Sequence, residues 1–142
     1  MATINPYLNF NGNCEEAFTF YKSVFGGEFL DFQRFKDVPA EAQLPAIEAE
    51  WVMHVSLPIS QDTILMGSDS PSAIGKVTPG SNFHISIQTD NDEETDRLFN
   101  GLSEGGQITM PLEQSFWGAR FGMFVDKFGI QWMINQAIEQ NE

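Results

Sequence analysis

Two stretches of the chain repeat apolar residues every three to four positions. In "NCEEAFTFYKSVFGG", Ala17, Phe18, Phe20, Tyr21, Val24 and Phe25 recur with helical spacing. Asn13 with Glu16 three residues later reads as a capping box, and Gly26-Gly27 as the stop. In "NDEETDRLFNGLSEGG", Asn91 and Glu94 repeat the cap, Leu98, Phe99 and Leu102 make the apolar stripe, and Gly105-Gly106 ends it. Aligning the glycine pairs superimposes Phe20 on Phe99 and Asn13 on Asp92, so the helices read as copies.

Elsewhere the apolar period falls to two, the signature of strands. "PYLNF" precedes the first helix and "FHISIQT" the second. Three strand-like runs follow each helix: residues 28–35, "WVMHVSLPI" and "TILMGS" in the first half; "QITMPLEQ", "ARFGMFVD" and "IQWMIN" in the second. The order strand, helix, strand, strand, strand is therefore used twice. Segments 36–49 and 69–81, rich in Pro, Ala and Ser, read as loops. The expected architecture is α+β: one domain over 1–142, made of two βαβββ modules at about 1–68 and 82–142.

Alternation gives each strand two faces. Phe83, Ile85 and Ile87 oppose His84, Ser86 and Gln88; Trp51, Met53, Val55 and Leu57 oppose Val52, His54 and Ser56. Leu8 and Phe10 oppose Tyr7 and Asn9, and Ile130, Trp132 and Ile134 oppose Gln131, Met133 and Asn135. The greasier faces belong under the helices. The semi-polar faces, carrying both histidines, belong to solvent or to a concave cleft.

Composition narrows the partners. Hydrophobic content of 42% and charged content of 19% indicate an ordered globular chain. Seven Lys and Arg against a net charge of −13 leave no cationic footprint for nucleic acid or an anionic membrane. No apolar run approaches the ~18 residues that span a bilayer. Cys14 is the only cysteine, which excludes an intrachain disulfide and a four-thiolate metal site. No signal peptide is visible, so the expected setting is a reduced cytoplasm.

A doubled unit of this length resembles the vicinal oxygen chelate superfamily, the fold of glyoxalase I, bleomycin-resistance proteins and extradiol dioxygenases. "MHVSLPIS…TILMGSD", "FWGARFG" and "VDKFGIQWMI" are similar to the PhnB-like family, which often carries a demethylubiquinone methyltransferase label. The resemblance implies a partly open mixed-sheet barrel with helices outside, an interior binding cleft and a homodimer. No glycine-rich strand-to-helix turn for an adenosyl cofactor supports the methyltransferase label.

Superfamily enzymes hold a divalent metal with residues from the first and last strand of each module. Carried over, these positions fall at Asn5 (or Tyr7), Met66, His84 and Met133. Zinc or iron wants imidazole and carboxylate, whereas thioether suits Cu(I). One good ligand in four makes an incomplete site, so no metal ligand or cofactor is assigned, a divalent metal stays open as the alternative, and hydrogen-bonded cleft histidines are the favoured reading. The alternative is a metal-dependent lyase, isomerase or dioxygenase acting on vicinal oxygens, using His54, His84 and a further acid. Glu50 and Asp126 lie near strand ends without a defensible inward position.

The favoured expectation is a small organic ligand bound by Tyr7, Asn9, His54, His84, Trp117, Arg120 and Gln131. Arg120 alternates with Gly118 and Gly122, so it is either an inward anion anchor or an outward arginine paired with a carboxylate. Phe116 and Trp117 suit an aromatic wall, a dimer contact or core. Asp126 to Gly129 reads as a structural hairpin turn. Cys14 near a helix start invites a lowered pKa, though a buried thiol is commoner. Ser56 and His54, roughly 6.5–7 Å apart along one strand, read as too distant for a direct hydrogen bond.

Overall fold

A computed structural model describes residues 2–37, 45–116 and 118–137. The chain divides into two compact units, Met1–Thr78 and Pro79–Glu142. The first unit runs β1 (Tyr7–Phe10), α1 (Cys14–Phe25), β2 (Asp31–Arg34), a 3-10 turn (Phe35–Asp37), α2 (Ala46–Ala49), β3 (Val52–Pro58) and β4 (Ile64–Asp69). The second runs β5 (Ile85–Thr89), α3 (Asp92–Ser103), β6 (Gln107–Gln114), β7 (Ala119–Val125) and β8 (Gln131–Ala137).

Each unit builds one four-stranded mixed sheet, ordered β1-β4-β3-β2 and β5-β8-β7-β6. The strand before each long helix pairs parallel with the last strand of its unit, Tyr7 opposite Met66 and Ile85 opposite Trp132, and the other pairs are antiparallel. This is the predicted α+β doubling, with the sheets not closed into a barrel. Segment 36–49 is not wholly loop, since the 3-10 turn and α2 occupy its ends; residues 38–44 lie outside the described residues. Elements of three and four residues are too short to show a period.

Each long helix buries a stripe with i, i+3, i+4, i+7 spacing: Cys14, Ala17, Phe18 and Tyr21 on α1, Thr95, Leu98, Phe99 and Leu102 on α3. Beneath α1 lie Leu8, Phe10, Val55, Leu57 and Leu65; beneath α3 lie Phe124, Trp132 and Ile134. One aromatic in each stripe sits over a sheet glycine. A Cβ on Gly67 would stand 2.6 Å from the Phe18 ring, and one on Gly122 would stand 2.6 Å from the Phe99 ring. By packing, then, Phe18 and not Phe20 is the counterpart of Phe99; Phe20 is only half-buried.

The two helix starts are capped differently. Asn91 is extended (φ −145°, ψ 162°) and its side chain accepts the Glu94 N–H, as the sequence predicts. Asn13 (φ −110°, ψ 21°) makes no side-chain cap, which corrects the expectation for α1. There Asp69 acts instead: Oδ1 accepts from the backbone N–H of Gly12 (2.8 Å) and Cys14 (2.9 Å), and Oδ2 from that of Val52 (3.0 Å). A carboxylate with two free oxygens serves three donors where one amide oxygen serves fewer. The second unit has its own buried aspartate. Asp126 Oδ1 accepts from the Phe128 and Ile130 N–H groups and Oδ2 from Trp132 Nε1, which locks the β7–β8 hairpin with Gly129 at φ 90°.

Candidate functional site

In the first unit the face turned away from α1 carries the polar chemistry. Cross-strand register places Tyr7, Met66 and Ser56 in one row over β1, β4 and β3, with Asn9 opposite Ser68 and His54 opposite Gln33. A register shift between Gln33 and Arg34 marks a bulge where β2 meets β3, so Val52 turns fully inward there. His54 stays on the polar face and joins two neighbours: Tyr7 Oη lies 3.3 Å from Nδ1, and Ser56 Oγ lies 2.8 Å from Nε2. Either neutral tautomer satisfies both: protonated at Nε2 the ring accepts from Tyr7 and donates to Ser56, and protonated at Nδ1 it donates to Tyr7, accepts from Ser56 and leaves the phenol proton free for a ligand acceptor. Tyr7 is 43% exposed on an edge strand, so its hydroxyl is reachable from solvent.

The Ser56–His54 bond overturns the distance argument from sequence. Spacing along the strand measures Cα separation, and an imidazole reaching along the strand closes most of that gap. The pair is nevertheless poorly built for nucleophilic catalysis. Ser56 is 4% exposed, and strand N–H groups lie in the sheet plane rather than aimed at an oxyanion above it.

The other expected residues fall in both units. Asn9 is exposed beside Tyr7 on β1. In the second unit His84 is half-buried just before β5, and Gln131 donates from Nε2 to the Phe83 carbonyl at 2.6 Å. Trp117 lies outside the described residues. Arg120 sits on the helix side of its sheet. Its guanidinium binds Asp92 (3.0 Å) and Asp96 (2.8 Å) of α3 and the Gln136 side-chain oxygen (3.2 Å), the outward role rather than the anion anchor. The glycine beside it, Gly122, admits Phe99 rather than a ligand.

Of the residues at the expected metal positions, only His84 offers an imidazole and none a carboxylate. Asn5 Oδ1 accepts the Ile64 N–H at 3.0 Å and Tyr7 is engaged with His54, while Met66 and Met133 offer only thioethers. Among the described residues, no group of three or more His, Cys, Asp or Glu side chains is placed to hold a metal ion. Glu50 pairs with Lys36 at 2.9 Å, and Asp126 is spent on its hairpin. Cys14 is fully buried; burial pushes its thiol pKa far up, and the Asp69 and Glu15 carboxylates push it the same way. A lowered pKa from the helix dipole is thereby overruled.

An open cavity of about 680 Å³ on the helix side of the first unit was not foreseen; Gly12, Arg34, Ile47, Trp51 and Asp69 are among its lining residues. Its cations are already matched. Arg34 forks onto Glu15 (2.7 and 3.0 Å) and holds the Glu50 carbonyl (2.8 Å). That hydrogen bond lowers the Glu15 pKa and raises that of Arg34.

Comparison with known proteins bears on both units. The sequence profile of the Glyoxalase/Bleomycin resistance protein/Dioxygenase superfamily matches residues 3–134. Protein YjdN of Escherichia coli is 34% identical, over 96% of this chain and 97% of its own. The crystal structure of protein PA1353 from Pseudomonas aeruginosa superimposes with a TM-score of 0.86 at 40% identity, covering 98% of this chain and 100% of that one. A Bacillus cereus PhnB protein, titled a putative 3-demethylubiquinone-9 3-methyltransferase, gives a TM-score of 0.73 at 27% identity, covering 96% of this chain and all of its own.

Proposed function

This chain belongs to the Glyoxalase/Bleomycin resistance protein/Dioxygenase superfamily, and from that membership we propose that it is a PhnB-like protein that binds a small organic molecule without the complete metal site. The observation that carries the reading is the Tyr7–His54–Ser56 line on the first sheet. It presents an exposed phenol whose hydroxyl is oriented by a histidine, itself held from behind by a buried serine. A ligand carbonyl, hydroxyl or carboxylate can bond to that phenol while its apolar part lies along Tyr7 and Met66. Such a site positions a ligand and supplies no activated nucleophile. In the same proposal the protein works in the cytoplasm as a homodimer; no helix among the described residues is long and apolar enough to cross a membrane.

The test is a titration of isotopically labelled protein with phenolic and carboxylic aromatic compounds, followed by backbone amide shifts. Saturable shifts at Tyr7, Asn9 and Ser68, weakened at least tenfold in His54→Ala, are expected. Binding that His54→Ala leaves intact would sink the reading. Elemental analysis of untagged protein before and after chelator treatment runs beside it. A stoichiometric divalent metal would replace the binder with the metal-dependent lyase, isomerase or dioxygenase. Sedimentation velocity checks the dimer.

A further inference from the structure

The second sheet carries a different donor set, independent of the first unit. Register pairs Met110, which lies between two register shifts of β6, with Met123 across β6 and β7, and Met123 with Met133 across β7 and β8. Paired residues share a face, so three methionines stand in one row on three adjacent strands. On β7 and β8 the residues Phe124 and Trp132, alternating with Met123 and Met133, are fully buried under α3. The methionine row therefore occupies the opposite face. Met123 and Met133 are half-buried and Met110 is 44% exposed, so all three keep some contact with solvent.

Neighbouring strands lie roughly 4.8 Å apart, which puts the outer two Cα atoms roughly 10 Å apart, with Met123 between them. Each side chain has three rotatable bonds and a polarisable sulfur, enough to swing three thioethers onto one point above Met123. Neutral sulfur donors reject hard and borderline divalent ions and select soft monovalent ones. The register also brings Glu113, opposite Phe121, to the same face, a charge that favours a cation. The geometry points to a trigonal site for a soft d10 monovalent ion, Cu(I) or its analogue Ag(I), held by Met110, Met123 and Met133. Met66 supplies the internal control, because its register partners are Tyr7 and Ser56 rather than other methionines.

Silver nitrate titrated into protein labelled at the methionine methyl carbons reads the site directly. Of the six methionines, Met110, Met123 and Met133 should shift up to one equivalent while Met53 and Met66 stay fixed. Under anaerobic conditions, Cu(I) buffered by a chromophoric chelator should bind at least tenfold more weakly to Met123→Leu, a volume-conserving change. Met66→Leu and Cys14→Ser should bind as the native protein does. Loss of binding in Cys14→Ser, equal binding by Met123→Leu, or no shift at the three methyls would each overturn the site.

Discussion

Replacing Asp69 tests the reading that one buried carboxylate ties the first unit together. The side chain is 2% exposed and accepts three backbone N–H groups, from Gly12, Cys14 and Val52. Hydrogen bonds to a charged acceptor are worth roughly 1.5–3 kcal/mol each. The Gly12 donor is only part-buried and regains water when the acceptor is removed. That leaves two expensive losses, so Asp69→Ala should destabilise by about 3–6 kcal/mol, a large share of a domain's usual ~5–15 kcal/mol. Asp69→Asn is milder and differently wrong. Its oxygen can keep Gly12 and Cys14, but its NH2 then faces the Val52 N–H, a buried donor against a donor, for about 2 kcal/mol. Urea unfolding followed by circular dichroism gives both values, and amide exchange at Cys14 and Val52 localises them. An alanine variant within 1 kcal/mol of the native protein, at unchanged denaturant slope, would refute the three-donor account.

Trp132→Phe keeps the ring in the core but leaves Asp126 Oδ2 without its indole donor, so the hairpin should lose about 1.5–3 kcal/mol, read by thermal unfolding. Arg120→Ala should cost no more than about 1 kcal/mol, because its partners Asp92 and Asp96 are exposed, and should leave ligand titration at His54 unchanged; a lost ligand response would return Arg120 to the binding site. Cys14 should resist a thiol reagent in the folded protein and react with one equivalent once unfolded. Since burial raises its folded pKa, its contribution to stability is complete below the unfolded value of about 8.5 and is lost as pH rises above it, which alkaline urea titrations of native protein and Cys14→Ser compare.

The long helices were legible because each shows its period over enough residues, and all eight strands overlap runs that the sequence marks as strand-like. What failed had physical reasons. The glycine-pair alignment of the helices missed that Phe18 packs over Gly67 as Phe99 packs over Gly122, since which aromatic finds a glycine is decided by the sheet below. Alternation rightly grouped Arg120 with Gly122, but it does not say which face a helix covers; α3 covers that one. The Asn13 cap gave way to Asp69, 56 positions later, which no local pattern reveals. His54 was legible as a polar-face residue, whereas its bond to Tyr7 needs β1, β4 and β3 side by side.

The unlike caps also set an order of assembly. The α3 cap spans Asn91 to Glu94, so that helix can nucleate from its own neighbours as soon as the segment is synthesised or released from denaturant. The first turn of α1 has no such local seed. Its donors wait for Asp69, and the loop from residue 14 to residue 69 must close before they are met. Refolding pulse-labelled by hydrogen exchange should therefore protect Glu94 before Cys14, with the N-terminal half of the chain emerging first from the ribosome yet completing its helix second.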